Sequence, residues 1–258
     1  MKLALMQLDA DDHAWSLGNV PRLLTLAQDA DLVVFPEFMP FKHTGKQVPT
    51  LATVGGLLCQ CSPATPHSPA FMAGGYVREG RHLRNAVLLV HQGQVKGHYF
   101  KRIRWQSERF IAGTSGVKFS WGPGLSCIPL ICADAADNPS AVGTRMMHEA
   151  LSLGANADTP IVVVSYGAEL AKAEWREPLY LWSAGCAAPV AICGISGKSK
   201  ATYLEDGIQK HYGGGGSAVF WPDGSRTRQS QQRGLYLIDT LTGDSEYRRI
   251  PDAVSKSR

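Results

Sequence analysis

Nine short runs rich in apolar residues recur along the 258-residue chain: KLALMQL (2–8), LVVFP (32–36), AFMAGGYV (70–77), NAVLLVHQGQVKGHYF (85–100), LSCIPLIC (125–132), PIVVVSY (160–166), APVAICGI (188–195), SAVFW (217–221) and GLYLIDT (234–240). Runs of this length bounded by turn residues read as buried strands, so the chain needs a large sheet inventory. The stretch NAVLLVHQGQVKGHYFK turns at Gln92-Gly93 with no room for a crossover helix, which makes it a hairpin and requires some antiparallel pairing. Helix-period segments lie between other runs. VPRLLTLAQDA places Pro21 near a first turn and Leu23, Leu24 and Ala27 on one face. In NPSAVGTRMMHEALSLG, Asn138 is positioned to cap, Pro139 to open the first turn and Gly154 to end the helix, with Val142, Met146 and Ala150 as an i, i+4 stripe. These elements predict an α/β fold with a mixed sheet system and helices outside it.

With 44% hydrophobic and 19% charged residues the chain can fill a substantial core, and its length suits one domain spanning residues 1–258, with a loosely held tail after Pro251. The net charge of +4 is too small to imply nucleic acid. Its one basic stretch, KGHYFKRIRW (96–105), follows a strand pattern that sends alternate side chains to opposite faces. No run approaches the ~20 apolar residues of a membrane span. The opening MKLALMQLDADD lacks the pattern of a secretory signal, so the expected location is the cytoplasm. The six cysteines are expected to be reduced, packed thiols, and Cys59 with Cys61 has no second ligand pair at a metal-like spacing, so neither a metal nor a cofactor is expected.

Three strand patterns end on a reactive or ionisable side chain: Glu37 after LVVFP, Lys101 after GHYF and Cys132 after IPLI. Singly, each has an ordinary reading as a solvated carboxylate, a surface cation or a packed thiol. Together they make an acyl-transfer set. A thiol attacks a carbonyl or nitrile carbon well once its proton has an acceptor, and a carboxylate at the end of a buried strand can be that acceptor. The ammonium of Lys101 and the backbone N–H after Cys132 would then stabilise the charge pushed onto the substrate.

DLVVFPEF (31–38), QVKGHYFKRI (94–103) and IPLICADAAD (128–137), in this order and at these separations, resemble the three catalytic motifs of the nitrilase superfamily of carbon-nitrogen hydrolases. The first strand, the strand RNAVLLV, the loop ERFIAGTSG and the late GGGGSAVFWPDG extend the resemblance over nearly the whole chain. It implies a four-layer αββα sandwich, a cysteine thioester mechanism without a cofactor, and assembly into a homodimer or larger homo-oligomer. By the match Glu37 is the general base, Lys101 the stabiliser of the tetrahedral intermediate and Cys132 the nucleophile. Glu108 matches a second glutamate that orients substrate and lysine, and Ala133 supplies the amide after the nucleophile.

The chain departs from the family pattern where many members carry an aromatic residue after the nucleophile, since Ala133 stands there, and where they carry an arginine and a glutamate on a later helix, since Trp182 and Cys186 stand near Trp175 instead. Other features have plain readings. Gly213 to Gly216 read as a loop beside the site, since no Lys-Ser/Thr follows as in a phosphate cradle, and His148 reads as a helix residue distant from the thiol's chemistry. Arg102 and Arg104 suggest an anionic group on the substrate. The expected partner is a small-molecule amide or nitrile. Amide hydrolysis is preferred; nitrile hydrolysis, acyl transfer to an amine, and a catalytically silent oligomerising member of the fold are the alternatives.

Overall fold

Alternation along the first strand sets the layers. In the computed structural model, β1 (Lys2–Gln7) turns Leu3 and Leu5 into one buried cluster and Ala4 and Met6 into another, as a strand covered on both faces must. The structure describes residues 1–9, 16–41, 48–63, 65, 67–105, 108–136, 141–196, 200–205, 208–213, 216–227 and 232–251, with backbone alone for 141, 200–205 and 208–213.

From the first strand the chain passes through α1 (Val20–Leu26), β2 (Leu32–Val34), β3 (Pro40–Phe41), α2 (Leu51–Cys61), β4 (Ala70–Glu79), β5 (His82–His91), β6 (Gln94–Phe100), β7 (Phe119–Gly122) and β8 (Leu125–Ile131). It continues through α3 (Ala133–Ala136), α4 (Ala141–Ser152), β9 (Ile161–Val164), α5 (Ala173–Cys186), β10 (Val190–Cys193), β11 (Lys200–Glu205), β12 (Ile208–Gly213), β13 (Ala218–Phe220), β14 (Gly234–Asp239) and β15 (Ser245–Arg248). The larger sheet has the order β15-β14-β1-β2-β4-β5-β6, with β3 beside β4; the smaller has the order β13-β10-β9-β8-β7, and β11 pairs with β12 alone. β1, β2 and β4 run parallel, while β14, β5 and β6 run antiparallel to their neighbours. The system is mixed, as the hairpin requires.

The two faces of the larger sheet meet different partners. Met6, Val33, Phe71 and Leu88 pack with Leu23 and Leu24 of α1 and Val54 and Leu58 of α2. Leu5, Val34, Met72 and Leu89 join the cluster of the smaller sheet, where α4 and α5 add Met146, Leu179 and Trp182. The sheets touch directly, since Cys193 donates its thiol to the Val34 carbonyl at 3.1 Å. The result is the expected αββα layering, built by two-residue periodicity in the strands and apolar stripes on the helices.

All nine anticipated runs contain strands. At the hairpin, Gln92 and Gly93 take φ of 51° and 70°, the positive pair that matches a two-residue turn to strand twist. In α4, Met146 and Ala150 are buried, and Gly154 follows with φ of 90°. Asn138, Pro139, the glycines at 214 and 215, and the tail beyond Pro251 lie outside the described residues. The sequence reading did not anticipate α2: Gly55 and Gly56 weaken its helical signal, yet Thr50 caps it by accepting the Thr53 N–H at 3.1 Å. Gly55 brings the helix close to the sheet, with Val95 3.1 Å from where a Cβ would sit. Cys59 and Cys61 both belong to this helix, and Cys61 donates its thiol to the Leu17 carbonyl. No described helix is long and apolar enough to cross a membrane.

Candidate active site

Glu37, Lys101 and Cys132 arrive from three strand ends of two sheets. Beyond β2 the backbone pairs once more, Phe35 N–H to Met72 O at 3.0 Å, and then turns through Glu37 and Phe38, the latter at φ of 66°. Glu37 is 4% exposed. Its Oε1 accepts from Asn85 Nδ2 at 2.8 Å and from Lys101 Nζ at 2.9 Å. Two donors on one oxygen leave Oε2 as the oxygen available for further work.

Lys101 extends the pairing of β6 by one residue, its N–H donating to Asn85 O at 2.8 Å. Its carbonyl accepts from Gly113 N–H at 2.9 Å. A Cβ at Gly113 would overlap the Phe100 carbonyl, so glycine lets the 108–116 loop close against the strand end. The ammonium is 1% exposed and lies 2.9 Å from Glu37 and 2.8 Å from Glu108. Burial alone would lower its pKa, but the Glu37 carboxylate, with Cys132 and Glu108, holds it well above the usual lysine range. It is a fixed cation.

Glu108 is oriented from both ends. One oxygen accepts the Trp105 N–H at 2.7 Å while the carboxylate grips Lys101. Burial raises its pKa and Lys101 opposes the rise. Tyr76 lies beside the same cluster; burial, then the charges of Glu108 and Glu37, drive the pKa of its phenol up, so it stays neutral beside the carboxylates.

Cys132 is the first residue after β8. It adopts φ of 47°, in the left-handed region that a non-glycine residue seldom enters. Its N–H donates to Val164 O at 2.8 Å, and its carbonyl accepts from Ala135 N–H at 3.0 Å. The sharp turn lifts Sγ out of the strand while α3 starts at once with Ala133, so a one-turn helix directly follows the thiol, ahead of the helix expected near Asn138. The N–H of Ala133 sits in the first turn, where helices leave amides without an internal partner. Burial and then the Glu37 charge push the thiol up to about 12, against the pull of Lys101 and a hydrogen bond from Ser165. The resting sulfur is therefore a protonated thiol.

Asp134 ties the lysine loop to the cysteine turn. Fully buried, it accepts from Arg102 N–H at 2.9 Å and Ile103 N–H at 2.8 Å on Oδ1, and from Tyr99 Oη at 2.8 Å and Ile131 N–H at 3.1 Å on Oδ2. Burial pushes the carboxyl up to about 6, with Lys101 and these donors resisting.

The sequence reading named Glu37, Lys101, Cys132, Glu108 and Ala133, and the fold brings these together. It missed Asn85, Tyr76, Ser165 and Asp134, which sit beside them. The basic stretch 96–105 forms no single charged face: Lys101 is buried, Arg102 pairs with Glu149 and Arg104 lies over the Phe110 ring at 6.0 Å. Arg102 is thus committed to a protein carboxylate, which corrects its suggested role toward an anionic substrate. His148 is exposed on α4.

Neither a protein-family model nor a curated protein sequence matches the chain. Solved structures do. An amidase from Nesterenkonia sp. AN1 is 22% identical, covering 100% of this chain and 96% of its own, with a TM-score of 0.70. A cysteine-to-alanine variant of that amidase, described as from the nitrilase superfamily, matches at 20% identity over 99% of this chain and 92% of its own, TM-score 0.72. A complex of such a variant with butyramide matches at 21% over 93% and 90%, TM-score 0.67.

The fold is that of the nitrilase-superfamily amidases. In this nitrilase-type fold the two sheets stack face to face, and residues as distant in sequence as Glu37 and Cys132 come together from strand ends of both.

Proposed function

We propose that the chain is a cysteine-dependent amidase of the nitrilase superfamily that hydrolyses a small-molecule amide through a thioester on Cys132. The observation that carries this reading is the buried chain Glu37–Lys101–Glu108 beside the Cys132 thiol, which a left-handed turn holds. A structural ion pair has no need of a neighbouring strained cysteine.

Glu37 takes the proton from Sγ as the sulfur attacks the amide carbon. The oxyanion that forms is met by the Lys101 ammonium and the Ala133 N–H. Collapse returns the proton from Glu37 to the amide nitrogen, the C–N bond breaks, and ammonia or an amine leaves. Glu37 next deprotonates a water that attacks the thioester carbon, and Sγ leaves with a proton as the carboxylic acid departs. Glu108 holds Lys101 in place and offers a carboxylate to the substrate NH2.

Amides are preferred to nitriles because the Nesterenkonia amidase, of the same fold, is seen with butyramide and with acrylamide. Its active-site cysteine carries the acetamide moiety of fluoroacetamide in another variant. Incubation with butyramide, acetamide and butyronitrile, with assay of ammonia and of intermediate amide, tests the reading. Ammonia from the amides that is lost in Cys132→Ala supports it; ammonia from the nitrile alone replaces it with nitrile hydrolysis.

A further inference from the structure

The end of β9 makes two contacts with Cys132. Val164 O accepts the Cys132 N–H at 2.8 Å, and the next residue, Ser165, donates its hydroxyl to Sγ at 3.4 Å. Ser165 is fully buried, and its N–H donates to Cys193 O at 2.9 Å. Its backbone is therefore fixed to β10, and its hydroxyl has Sγ as its hydrogen-bond partner among the described residues. A buried hydroxyl facing a sulfur is a weak arrangement if it serves packing alone, because sulfur is a poor acceptor until it carries charge.

We propose that Ser165 is a further catalytic residue, whose hydroxyl holds Sγ of Cys132, turns its S–H away toward Glu37, and stabilises the thiolate as it forms. This rests on Cys132 being the nucleophile. A sulfur accepting an O–H along one lone pair has its own hydrogen in another direction, and the hydroxyl bond strengthens as negative charge develops. The Ser165 proton stays on its oxygen throughout; the proton that moves goes from Sγ to Glu37. The hydroxyl opposes burial and the Glu37 charge, both of which favour the neutral thiol.

The test reads the thiol without any amide substrate. Carboxymethylation of Cys132 by iodoacetate, a reagent with no amide group, is located by peptide mass mapping and followed between about pH 6 and 10. Wild type is compared with Ser165→Ala, and Ser165→Thr with Ser165→Val, a pair of equal shape that differs by the hydroxyl. The expected result is that Val reacts about tenfold more slowly than Thr, with its pH–rate curve displaced upward by about one unit, and that Ala falls below wild type in the same way. If the Thr and Val proteins do not fold, as judged by thermal melting, the wild-type and Ala curves decide alone. Coincident curves in folded proteins would overturn the role of Ser165. Ammonia release by wild type is scored separately, so absence of amidase activity would sink the functional reading and leave the alkylation result standing.

Discussion

The ammonium of Lys101 lies 2.9 Å from Oε1 of Glu37, with the two side chains 1% and 3% exposed. Two opposite charges so thoroughly removed from water are held by each other, and Glu108 sets a second carboxylate on the same ammonium at 2.8 Å. Their desolvation makes the pair costly to break and indifferent as a source of net stability.

Replacing Lys101 with Met leaves two carboxylates facing each other without a cation. The expected loss is about 3–5 kcal/mol of folding stability, measured by urea unfolding near neutral pH. With the cation gone, Glu108, which burial already raises against the pull of Lys101, binds its proton more readily in the folded state than in the unfolded one. The variant's stability is therefore greatest at low pH and falls as pH rises through the folded-state values. A Lys101→Met protein as stable as wild type at neutral pH would show that the pair is not buried as described.

Asp134 predicts a positioning effect. An amide at Asp134→Asn places an NH2 against two donors whichever way it is turned, because both carboxylate oxygens are used twice. Each unsatisfied buried donor costs about 1–3 kcal/mol. Tyr99→Phe removes one donor and costs about 1 kcal/mol. On the functional reading, Asp134→Asn lowers kcat more than it raises KM, since Lys101 and Cys132 lose their common anchor while substrate contacts remain. Steady-state kinetics on a short amide, beside denaturant curves, check both effects.

The Cys132 thiol predicts a specific pH signature. Its ordinary value of 9.0 is raised to about 12 in the folded protein by burial and by Glu37. The folded state therefore retains this proton where the unfolded state releases it. The stabilisation is fully present below 9.0 and is lost as pH rises toward about 12. Across that window the folding constant loses up to about tenfold per pH unit from this group. Subtracting the curve of Cys132→Ala from that of wild type isolates the effect, and a difference that stays flat up to pH 11 or so would show that burial does not hold the thiol neutral.

Much of this site was legible because strands end abruptly in the sequence. VVFPE, HYFK and PLIC each place a reactive group directly after an apolar run, and two-residue periodicity fixes which face each strand buries. The supporting residues were hidden for physical reasons. Asn85 lies inside a strand whose pattern does not reveal the partner across the site. Ser165 reads as the polar end of IVVVS. Asp134 resembles any acidic helix-start residue until its four donors are seen. The left-handed turn at Cys132 has no sequence signal, since such backbone is normally announced by glycine. The helix Leu51–Cys61 was obscured by its glycine pair, and the strand Ser245–Arg248 by the polar composition of a sheet edge.

The proposed amidase chemistry turns on the attack of Cys132 Sγ on the amide carbon. Rapid acid quench of the protein during turnover of a short amide, followed by intact-mass measurement and peptide mapping, tests it most directly. The expected result is an acyl group on Cys132 that hydroxylamine removes, with no adduct and no ammonia release in Cys132→Ala. Ammonia release that persists in Cys132→Ala would contradict it.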